Sequence, residues 1–256
     1  MPDFAGQTVL VTGGGSGIGA ATCQRFAEQG ARVAIFDIDE SAATRVANQL
    51  STINAECLAI AADVSDEVQV QNAVHQVVDR FSTIDILVNN AAVFILKGID
   101  ATVDDWRNIT DVNIMGTALV SKHVVPIMRQ GTKGAIVNLG SISSFIAQPE
   151  FVTYNATKAA IAAMTRCMAL DLATHGIRVN AVCPGTVWTP IVEELCRQDG
   201  LDRAAADGHP DWGGTHMLNR LADPQEIAEA VLFLASDQAS FITAECLMVD
   251  GGYSAQ

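Results

Sequence analysis

Two residues whose side chains can move protons stand four positions apart in the stretch Tyr154-Asn-Ala-Thr-Lys158. On a helix, residues at this spacing share one face, so the phenol and the ammonium would be neighbours. A free tyrosine has a pKa of about 10, and a nearby positive charge lowers that pKa because it stabilises the phenolate. The pair therefore predicts a group that gives and takes protons, although a tyrosine and a lysine at this spacing are more often a surface pair.

A second unusual stretch is the turn VTGGGSGIGAA at residues 11–21, which carries five glycines. Glycine weakens helices and strands, so this concentration at one turn suggests the close approach of a ligand. The spacing is T-G-x-x-x-G-x-G rather than the dinucleotide fingerprint G-x-G-x-x-G. The turn lies between a predicted strand and a predicted helix, so amides at the helix start are expected to face a pyrophosphate. A glycine-rich turn without a ligand is the alternative. The predicted contacts are Gly13, Ser16, Gly17, Ile18 and Gly19.

An acidic residue at the end of the second predicted strand supports nucleotide binding. The run Val33-Ala-Ile-Phe-Asp37 places a carboxylate 18 residues after Gly19. There it can accept hydrogen bonds from both hydroxyls of an adenosine ribose. The same charge would repel a 2′-phosphate, and neither the turn nor Ile38, directly after Asp37, is basic. The prediction is therefore NAD rather than NADP, and a solvated acid in a turn is the alternative.

The elements that must position these residues follow from the apolar pattern. Short continuous apolar runs alternate with helical stretches, which is typical of a parallel sheet covered on both faces. The predicted strands are Gln7–Thr12, Arg32–Phe36, Cys57–Ala61, Ile84–Val88, Gly134–Leu139 and Arg178–Val182, and the first predicted helices are Gly17–Gln29 and Glu40–Leu50. Repeated βαβ units indicate an α/β fold in one domain over residues 1–256. The fold would be a Rossmann-type, doubly wound parallel sheet of about seven strands with helices on both faces.

Two helix starts and one irregular region complete this outline. The sequence Thr102-Val-Asp-Asp105 fits a capping box before a long helix toward Arg129, and Asp223 precedes Pro224 as a helix cap. Between residues 190 and 221, glycines and prolines interrupt the pattern. A long loop in a compact domain often covers a site, so this region is expected to be a substrate-binding lid.

Composition argues against several classes of protein. The chain has 256 residues, 49% of them hydrophobic, and a net charge of −14, which disfavours nucleic acid or an anionic membrane as a partner. No signal peptide or membrane-length apolar run is recognisable, so a cytoplasmic location is expected. The six cysteines lack a C-x-x-C pattern and are expected to be buried thiols. The five histidines lack H-E-x-x-H, so no metal is expected.

These motifs, in order along nearly the whole chain, resemble those of the short-chain dehydrogenase/reductase family. The matching segments are Thr12-Gly13-x-x-x-Gly17-x-Gly19, Asp63-Val64, Asn89-Asn90-Ala91-Ala92, Asn113, Ser141, Tyr154-x-x-x-Lys158 and Pro184-Gly185. Two positions depart from the family pattern: Ala92 replaces a glycine, and Gly140 precedes Ser141 where a second serine is common. The stretch Pro184–Leu195 is locally similar to that of a family member, L-fucose dehydrogenase, which is also described as a hydroxysteroid dehydrogenase.

The resemblance implies an enzyme with four catalytic residues. Tyr154 would exchange the proton of an alcohol, while Lys158 holds the nicotinamide ribose. Ser141 would bind the substrate oxygen, and Asn113 would hold a water that links Lys158 to solvent. The further cofactor contacts it implies are Asp63, Val64, Asn90, Ala91, Tyr154, Lys158, Pro184, Gly185, Val187 and Thr189, besides Asp37 and Ile38. The candidates for substrate contact are Ser141, Gln148, Glu150, Tyr154, Trp188, Trp212, His216 and Met217, with packing under the loop or solvation as the alternative for the unassigned ones.

The expected activity is reversible, NAD-dependent hydride transfer between a secondary alcohol and its ketone, with Tyr154 as general acid and base. A sugar, a polyol, a cyclic diol or a hydroxysteroid would each fit as substrate. The alternatives are a 3-oxoacyl-thioester reductase and an NAD-sensing regulator without activity. Epimerases of the family carry a larger C-terminal domain, and its enoyl reductases space the tyrosine and lysine farther apart.

The resemblance also implies a homotetramer, or a homodimer, joined through the long helices before and after the fifth strand. Small side chains on the helix after Tyr154 suit close packing between subunits, although packing within the chain would explain them equally well. These residues are Ala156, Ala159, Ala160, Ala163 and Met164.

Overall fold

Seven parallel strands form the centre of the molecule in the computed structural model, which describes residues 3–256. The strands are β1 (Thr8–Thr12), β2 (Arg32–Asp37), β3 (Cys57–Ala61), β4 (Ile86–Asn89), β5 (Gly134–Leu139), β6 (Ile177–Pro184) and β7 (Cys246–Val249). Their order is β3-β2-β1-β4-β5-β6-β7. The order reverses between β1 and β4, which opens a crevice at the carboxyl ends of these strands. The predicted α/β, Rossmann-type fold is confirmed.

Residues 3–256 contain nine α-helices, and six of them cover the two faces of the sheet. They are α1 (Gly17–Glu28), α2 (Glu40–Ser51), α3 (Glu67–Phe81), α4 (Val103–Thr110), α5 (Thr117–Met128), α6 (Val152–Leu172), α7 (Pro190–Gln198), α8 (Arg203–Asp207) and α9 (Pro224–Ala235). Successive residues of β1 point to opposite faces. Val9 and Val11 therefore pack with α1, α2 and α9, whereas Leu10 packs with α3, α5 and α6. Both faces are buried, which is why the strands read as continuous apolar runs.

Local side chains explain where several helices begin. Asp39 and Asp66 accept backbone N–H groups at the starts of α2 and α3. The predicted capping box of α4 is present, since Thr102 and Asp105 each accept the backbone N–H of the other. Such caps supply the partners that the first amides of a helix lack.

The predicted long helix toward Arg129 is interrupted. A π-helical segment, Asp111–Gly116, separates α4 from α5. Just before it, the hydroxyl of Thr110 donates to the carbonyl of Trp106 at 2.6 Å. A side-chain bond to a carbonyl of the preceding turn competes with the regular helical ladder. The wider turn buries Asn113, which is only 2% exposed.

Several predicted strand boundaries also differ from the structure, most clearly those of β4 and β6. β4 begins at Ile86 instead of Ile84, after Asp85, whose carboxylate accepts the N–H of Thr8 at 2.8 Å. β6 extends past both predicted ends, because it pairs with β5 on one side and with β7 on the other as far as Pro184. Pairing with neighbours far along the chain, rather than the local pattern, sets these limits.

The region 190–221 is more regular than predicted. It contains α7, α8 and a 3₁₀ turn at Gly213–Thr215. These elements enclose a small apolar cluster of Cys196, Ala206 and Leu221, with Trp188, Val192, Leu201 and Trp212 packed against it. This region therefore has a core of its own, separate from the two cores of the sheet.

The cysteines are free thiols, and Cys23, Cys183 and Cys196 are buried. The prediction of burial is wrong for Cys167, which is exposed on α6. Within residues 3–256, no helix combines the length and the apolar character needed to cross a membrane. The same residues contain no group of three or more His, Cys, Asp or Glu side chains that could hold a metal ion.

Candidate active site

The candidate residues meet at the edge of the sheet where the strands end. The glycine turn follows β1, Asn90 follows β4, Ser141 follows β5, and Gly185 follows β6. Tyr154 and Lys158 come from the first two turns of α6, a helix packed against β6 and the turn after β5. Ligands of doubly wound sheets bind at this edge.

The glycine turn is packed too closely for side chains at several positions. Gly13 has a φ of +62°, and a Cβ there would lie 2.9 Å from the Cα of Ala91. A Cβ at Gly19 would lie 2.0 Å from the carbonyl oxygen of Gly13. Asn90 fixes the turn from β4, because its Nδ2 donates to the carbonyls of Thr12 (2.9 Å) and Gly13 (3.0 Å). The protein's own contacts therefore set the shape of the turn.

The start of α1 differs from the starts of α2 and α3. Ser16, at its N-cap position, makes no side-chain hydrogen bond to the helix, and the first turn holds no acidic residue. The first amides of an uncapped helix lack partners within it and carry a partial positive charge. The amides of Gly17 and Ile18 are therefore suited to an anion such as a pyrophosphate.

Asp37 lies beside the glycine turn and is fixed there. Its Oδ2 accepts the N–H of Gly15 at 2.8 Å, and its Oδ1 accepts the N–H of Asp39 at 3.0 Å. Each carboxylate oxygen keeps a further lone pair for a hydroxyl. The neighbouring Ile38 is 74% exposed.

Sequence reasoning missed Arg45, which reaches the same turn. Its guanidinium donates to the carbonyl of Gly15 at 3.2 Å. Arg45 stands eight residues after Asp37 in the sequence, and α2 brings it back over the turn. The helical period after β2 was the signal that could have found it.

The residues after β3 connect to the segment that carries Asn113. The carboxylate of Asp63 accepts the N–H of Ser65 at 2.9 Å and its hydroxyl at 2.7 Å. Val64 packs so closely on the π-helical segment that a Cβ at Gly116 would lie 2.6 Å from its Cγ2. Val64, predicted to contact the adenine, therefore packs directly against the helical segment that carries Asn113, a predicted catalytic residue.

Tyr154 and Lys158 are both buried, with 6% and 5% of their surfaces exposed. The amine of Lys158 lies 5.6 Å from the centre of the Tyr154 ring and donates to the carbonyl of Leu139 at 2.8 Å. The side chain of Ser141 faces the phenol and lowers its pKa. The structure therefore brings the predicted phenol, amine and hydroxyl together.

Burial controls the proton affinity of both groups. It raises the pKa of Tyr154, and the nearby hydroxyl of Ser141 lowers that pKa less than burial raises it. Burial also lowers the pKa of Lys158 to about 8. The expected net lowering of the Tyr154 pKa by the ammonium is wrong for this structure, because removal from water favours the neutral phenol more strongly.

Ser141 is 8% exposed and begins the 3₁₀ turn Ile142–Ser144, where its Oγ accepts the N–H of Ser143 at 3.1 Å. The residue before it has no room for a side chain. A Cβ at Gly140 would lie 2.7 Å from the sulfur of Cys183. This contact explains why Gly140 stands where a second serine is common.

Asn113 fastens the loop after β4. Its Oδ1 accepts the N–H of Val93 at 2.8 Å, and its Nδ2 donates to the carbonyl of Val93 at 3.1 Å and to the hydroxyl of Thr157 at 3.2 Å. Its own carbonyl accepts the hydroxyl of Thr117 at 3.1 Å. A role in a water relay to Lys158 stays a prediction.

The segment after β6 is fixed from both sides. Pro184 ends the strand, and Gly185 donates its N–H to Val249 at 3.1 Å. Val187 is buried and forms an isolated parallel bridge with Ala222. This segment therefore carries the predicted nicotinamide contacts into the region 190–221.

Thr189 lies against the glycine turn. A Cβ at Gly17 would stand 3.3 Å from its methyl group, and its hydroxyl accepts the N–H of Val192 at 3.5 Å. The start of α1 and the segment after β6 therefore approach each other across the crevice.

The aromatic candidates for substrate contact also hold the region 190–221 together. The guanidinium of Arg203 lies 5.4 Å from the Trp188 ring centre, and the indole N–H of Trp212 donates to Asp199 at 3.3 Å. His216 is 4% exposed, and its Nε2 accepts the N–H of Thr186 at 3.1 Å. Burial lowers the pKa of His216, which favours the neutral ring that can accept this bond. Substrate contact by these side chains stays a prediction.

Contact of three further candidates, Gln148, Glu150 and Met217, with substrate also stays a prediction. Gln148 is half-buried, and its Oε1 accepts the hydroxyl of Ser143 at 2.6 Å. Glu150 and Met217 are exposed. Phe94, which sequence reasoning missed, stacks on Tyr154 with ring centres 4.9 Å apart.

Comparisons with known proteins agree with this geometry. A family profile described as Enoyl-(Acyl carrier protein) reductase matches residues 13–254. The chain is 40% identical over 254 residues to cis-4-hydroxycyclohexanecarboxylate dehydrogenase of Sinomonas cyclohexanicum, covering 98% of each chain. It is 37% identical to L-fucose dehydrogenase of Mus musculus, over 97% of this chain and 89% of that protein.

Comparison with solved structures also finds dehydrogenases similar to this chain. The crystal structure of a short-chain type dehydrogenase/reductase from Mycobacterium marinum matches with a TM-score of 0.91 and 32% identity, over 99% of this chain and 98% of that one. The relatives are named dehydrogenases, which supports an oxidoreductase activity for the chain. It belongs to the short-chain dehydrogenase/reductase family.

Proposed function

We propose that the chain catalyses reversible, NAD-dependent hydride transfer between a secondary alcohol and its ketone, with Tyr154 as the general acid and base. The observation that carries this proposal is the buried Tyr154 phenol, close to the Lys158 amine and to the side chain of Ser141, at the carboxyl edge of the sheet. A sugar, a polyol, a cyclic diol or a hydroxysteroid each carries such an alcohol.

The side chains divide the proton chemistry between them. Ser141 donates a hydrogen bond to the substrate oxygen and holds it beside Tyr154. Tyr154 takes the hydroxyl proton during oxidation and returns it during reduction. The charge of Lys158 favours the phenolate, and Asn113 lies on the path by which the proton reaches solvent. The nicotinamide ring, when bound, accepts or gives the hydride.

The residues of the crevice fit a nicotinamide dinucleotide. The pyrophosphate would lie at the uncapped start of α1, beside Gly13, Ser16, Gly17, Ile18 and Gly19. The adenosine ribose would bond to Asp37 beside Ile38. The adenine would lie by Asp63, Val64, Asn90 and Ala91, and the nicotinamide end by Tyr154, Lys158, Pro184, Gly185, Val187 and Thr189.

The preference for NAD rests on Asp37. Its carboxylate is held beside the turn by the N–H groups of Gly15 and Asp39, so it cannot easily move away from a 2′-phosphate. Two negative charges at contact distance repel each other strongly in a partly buried crevice. Arg45 softens this repulsion without replacing the carboxylate.

The substrate would enter between Ser141 and the region 190–221, which we propose acts as a lid. Gln148, Trp188, Trp212 and His216 remain the proposed contacts. The relatives act on a hydroxylated cyclohexane ring and on a sugar, by their names, and both are small molecules with ring-borne hydroxyl groups.

We also propose a cytoplasmic homotetramer, or a homodimer, joined through α5 and α6. Ala156, Ala159 and Ala163 are exposed on α6, as is Leu170 at 79% of its surface. Small exposed side chains allow two helices to approach closely. This apolar surface supports a contact with a second copy of the chain.

The decisive experiment compares the purified chain with Tyr154→Phe, following NADH absorbance with NAD and a panel of secondary alcohols. The variant removes only the hydroxyl that moves the proton, so turnover should fall by a factor of about 100 to 10,000. NADH binding, measured by fluorescence, should stay within about twofold. Activity close to that of the unmodified chain would contradict the assignment of the base. NADH binding without turnover of any alcohol or ketone would favour a regulator.

A further inference from the structure

The loop after β4 is fastened at three points to the elements that carry the proposed catalytic residues. Asn113 pairs with both backbone groups of Val93, at 2.8 and 3.1 Å. The hydroxyl of Thr153 contacts the carbonyl of Ile95 and accepts the N–H of Lys97 at 3.3 Å. We refer to residues 93–98 as the clamped segment.

The third point is Glu150, just before α6. Its Oε2 accepts the N–H of Gly98 at 3.1 Å, and a Cβ at Gly98 would lie 2.7 Å from the same oxygen. Glu150 has a φ of +60°, a conformation that a residue with a side chain rarely adopts. Such backbone strain persists where surrounding contacts fix the conformation, and it is concentrated at functional sites.

The clamped segment holds one aromatic ring against the proposed base. The rings of Phe94 and Tyr154 are stacked, with centres 4.9 Å apart and planes inclined by 20°. Phe151 approaches Tyr154 edge-on at 6.2 Å. Phe94 is nevertheless 48% exposed, so part of its ring faces solvent beside the group that would exchange the proton.

We propose that Phe94 is a specificity-determining residue whose exposed ring face binds the carbon ring of a cyclic secondary alcohol. This inference rests on the proposed function. The methylene face of a cycloalkanol packs on an aromatic ring without losing a hydrogen bond. An open-chain polyol carries a hydroxyl on every carbon, and burying one against Phe94 leaves it without a partner. The substrate class is therefore a compact cycloalkanol or the corresponding cyclic ketone.

The same ring also keeps water from Tyr154. The groups that face the Tyr154 side chain are Phe94, Phe151, Ser141 and Lys158, and of these only Lys158 titrates. Burial raises the pKa of Tyr154. Removing Phe94 admits water to the phenol, which stabilises the phenolate and shifts the pH dependence of oxidation toward lower pH.

The test compares cyclohexanol and xylitol, with NAD, in the unmodified chain, Phe94→Ala and Phe94→Leu. Phe94→Ala should raise KM for cyclohexanol about 10- to 50-fold, with a smaller change in KM for xylitol. Phe94→Leu keeps an apolar side chain and should restore part of the affinity. The pH profile of Phe94→Ala should move to lower pH, which a loss of packing alone would not cause. Phe241→Ala, at a fully exposed phenylalanine, is the control.

The hydrogen bond between Glu150 and the clamped segment is tested by separate variants. Glu150→Gln keeps an oxygen that can accept the N–H of Gly98, so it should raise KM for cyclohexanol less than Glu150→Ala does. Glu150→Ala removes that acceptor, and KM should rise in the same direction as in Phe94→Ala. Circular dichroism melts establish that each variant is folded.

Equal losses for cyclohexanol and xylitol in Phe94→Ala would overturn the proposal, as would an unchanged KM for cyclohexanol. Preference of the unmodified chain for xylitol would overturn it while leaving the alcohol dehydrogenase function intact. If the unmodified chain binds NADH but oxidises no alcohol and reduces no ketone, the proposed function fails as well. NADH binding, measured by fluorescence in every variant, separates these results.

Discussion

At the scale of single residues, Tyr154 and Lys158 illustrate how one environment acts in opposite directions on two charges. Burial raises the pKa of Tyr154 and lowers the pKa of Lys158 to about 8, because both charged forms lose water. The spacing of the two residues predicted their proximity, but burial depends on β5, α6 and the loop that carries Phe94. The net direction of the Tyr154 shift therefore could not be derived from the sequence.

These shifts predict how oxidation and reduction depend on pH. The raised pKa of Tyr154 leaves little phenolate at neutral pH, so kcat/KM for oxidation should rise about tenfold per pH unit between about pH 6 and pH 8. Above about pH 8 the rise should flatten, because Lys158 loses the charge that favours the phenolate. Reduction needs the protonated phenol and should change little across this range. Rates from NADH absorbance in both directions check this, and oxidation that slows as the pH rises would contradict it.

A second residue-scale prediction concerns the choice of cofactor. Asp37→Ala removes the carboxylate proposed to hold the ribose and repel a 2′-phosphate, so the ratio of kcat/KM for NAD to that for NADP should fall about 100-fold. Arg45 then remains to attract the phosphate.

Asp39→Ala is the matched control for this variant. Asp39 lies two residues further along and caps α2 through the N–H groups of Ser41 and Ala42. This variant should melt at a lower temperature with the cofactor ratio unchanged. An unchanged ratio in Asp37→Ala would remove the basis for assigning NAD.

At the scale of elements, the helices and strands that depend on local sequence patterns could be predicted, whereas those that depend on distant contacts could not. The glycine turn, its flanking strand and α1 follow from a pattern within about twenty residues, and the capping box of α4 follows from two side chains. The π-helical segment and the helices in region 190–221 were not predicted. They depend on contacts such as Asn113 with Val93 and Trp188 with Arg203, whose partners lie far apart or within an irregular stretch.

The glycine turn gives the element-scale prediction. Gly19→Ala would place a Cβ 2.0 Å from the carbonyl oxygen of Gly13, although alanine is the better helix former. The turn must shift, which should cost about 1–3 kcal/mol of unfolding free energy and weaken NADH binding. Urea unfolding and NADH fluorescence measure the two effects.

The control for this prediction is Gly208→Ala at the end of α8. A Cβ there has no atom within 4 Å, so stability should change by less than about 0.5 kcal/mol. If Gly19→Ala were as stable as the control and bound NADH equally well, the packing of the turn could not be what requires glycine.

At the scale of the whole molecule, the sheet separates two hydrophobic cores, and the candidate site residues lie at the carboxyl ends of its strands. One core lies between the sheet and α1, α2 and α9, and the other between the sheet and α3, α5 and α6. The alternation of strands and helices predicted this arrangement. The outer surfaces of α5 and α6 are not needed for either core, which leaves them free for contact with another copy.

Assembly through α6 is tested by Leu170→Glu. Leu170 is 79% exposed, so the change should leave the monomer's fold within about 0.5 kcal/mol of its original stability. A charge in an apolar contact should shift the tetramer or dimer to smaller species in sedimentation experiments. Ile53→Glu, at a residue 49% exposed just after α2, should leave the assembly intact. The same assembly in both variants would exclude α6 as the contact.

The position of β1 has a consequence for how the chain is made. It is synthesised before the other six described strands, yet it lies between β2 and β4 in the sheet, and β4 begins only at Ile86. Until that residue emerges, β1 can pair only with β2, and its other side exposes unsatisfied backbone groups. A nascent chain that stalls before Ile86 should therefore recruit chaperones or aggregate through this open side.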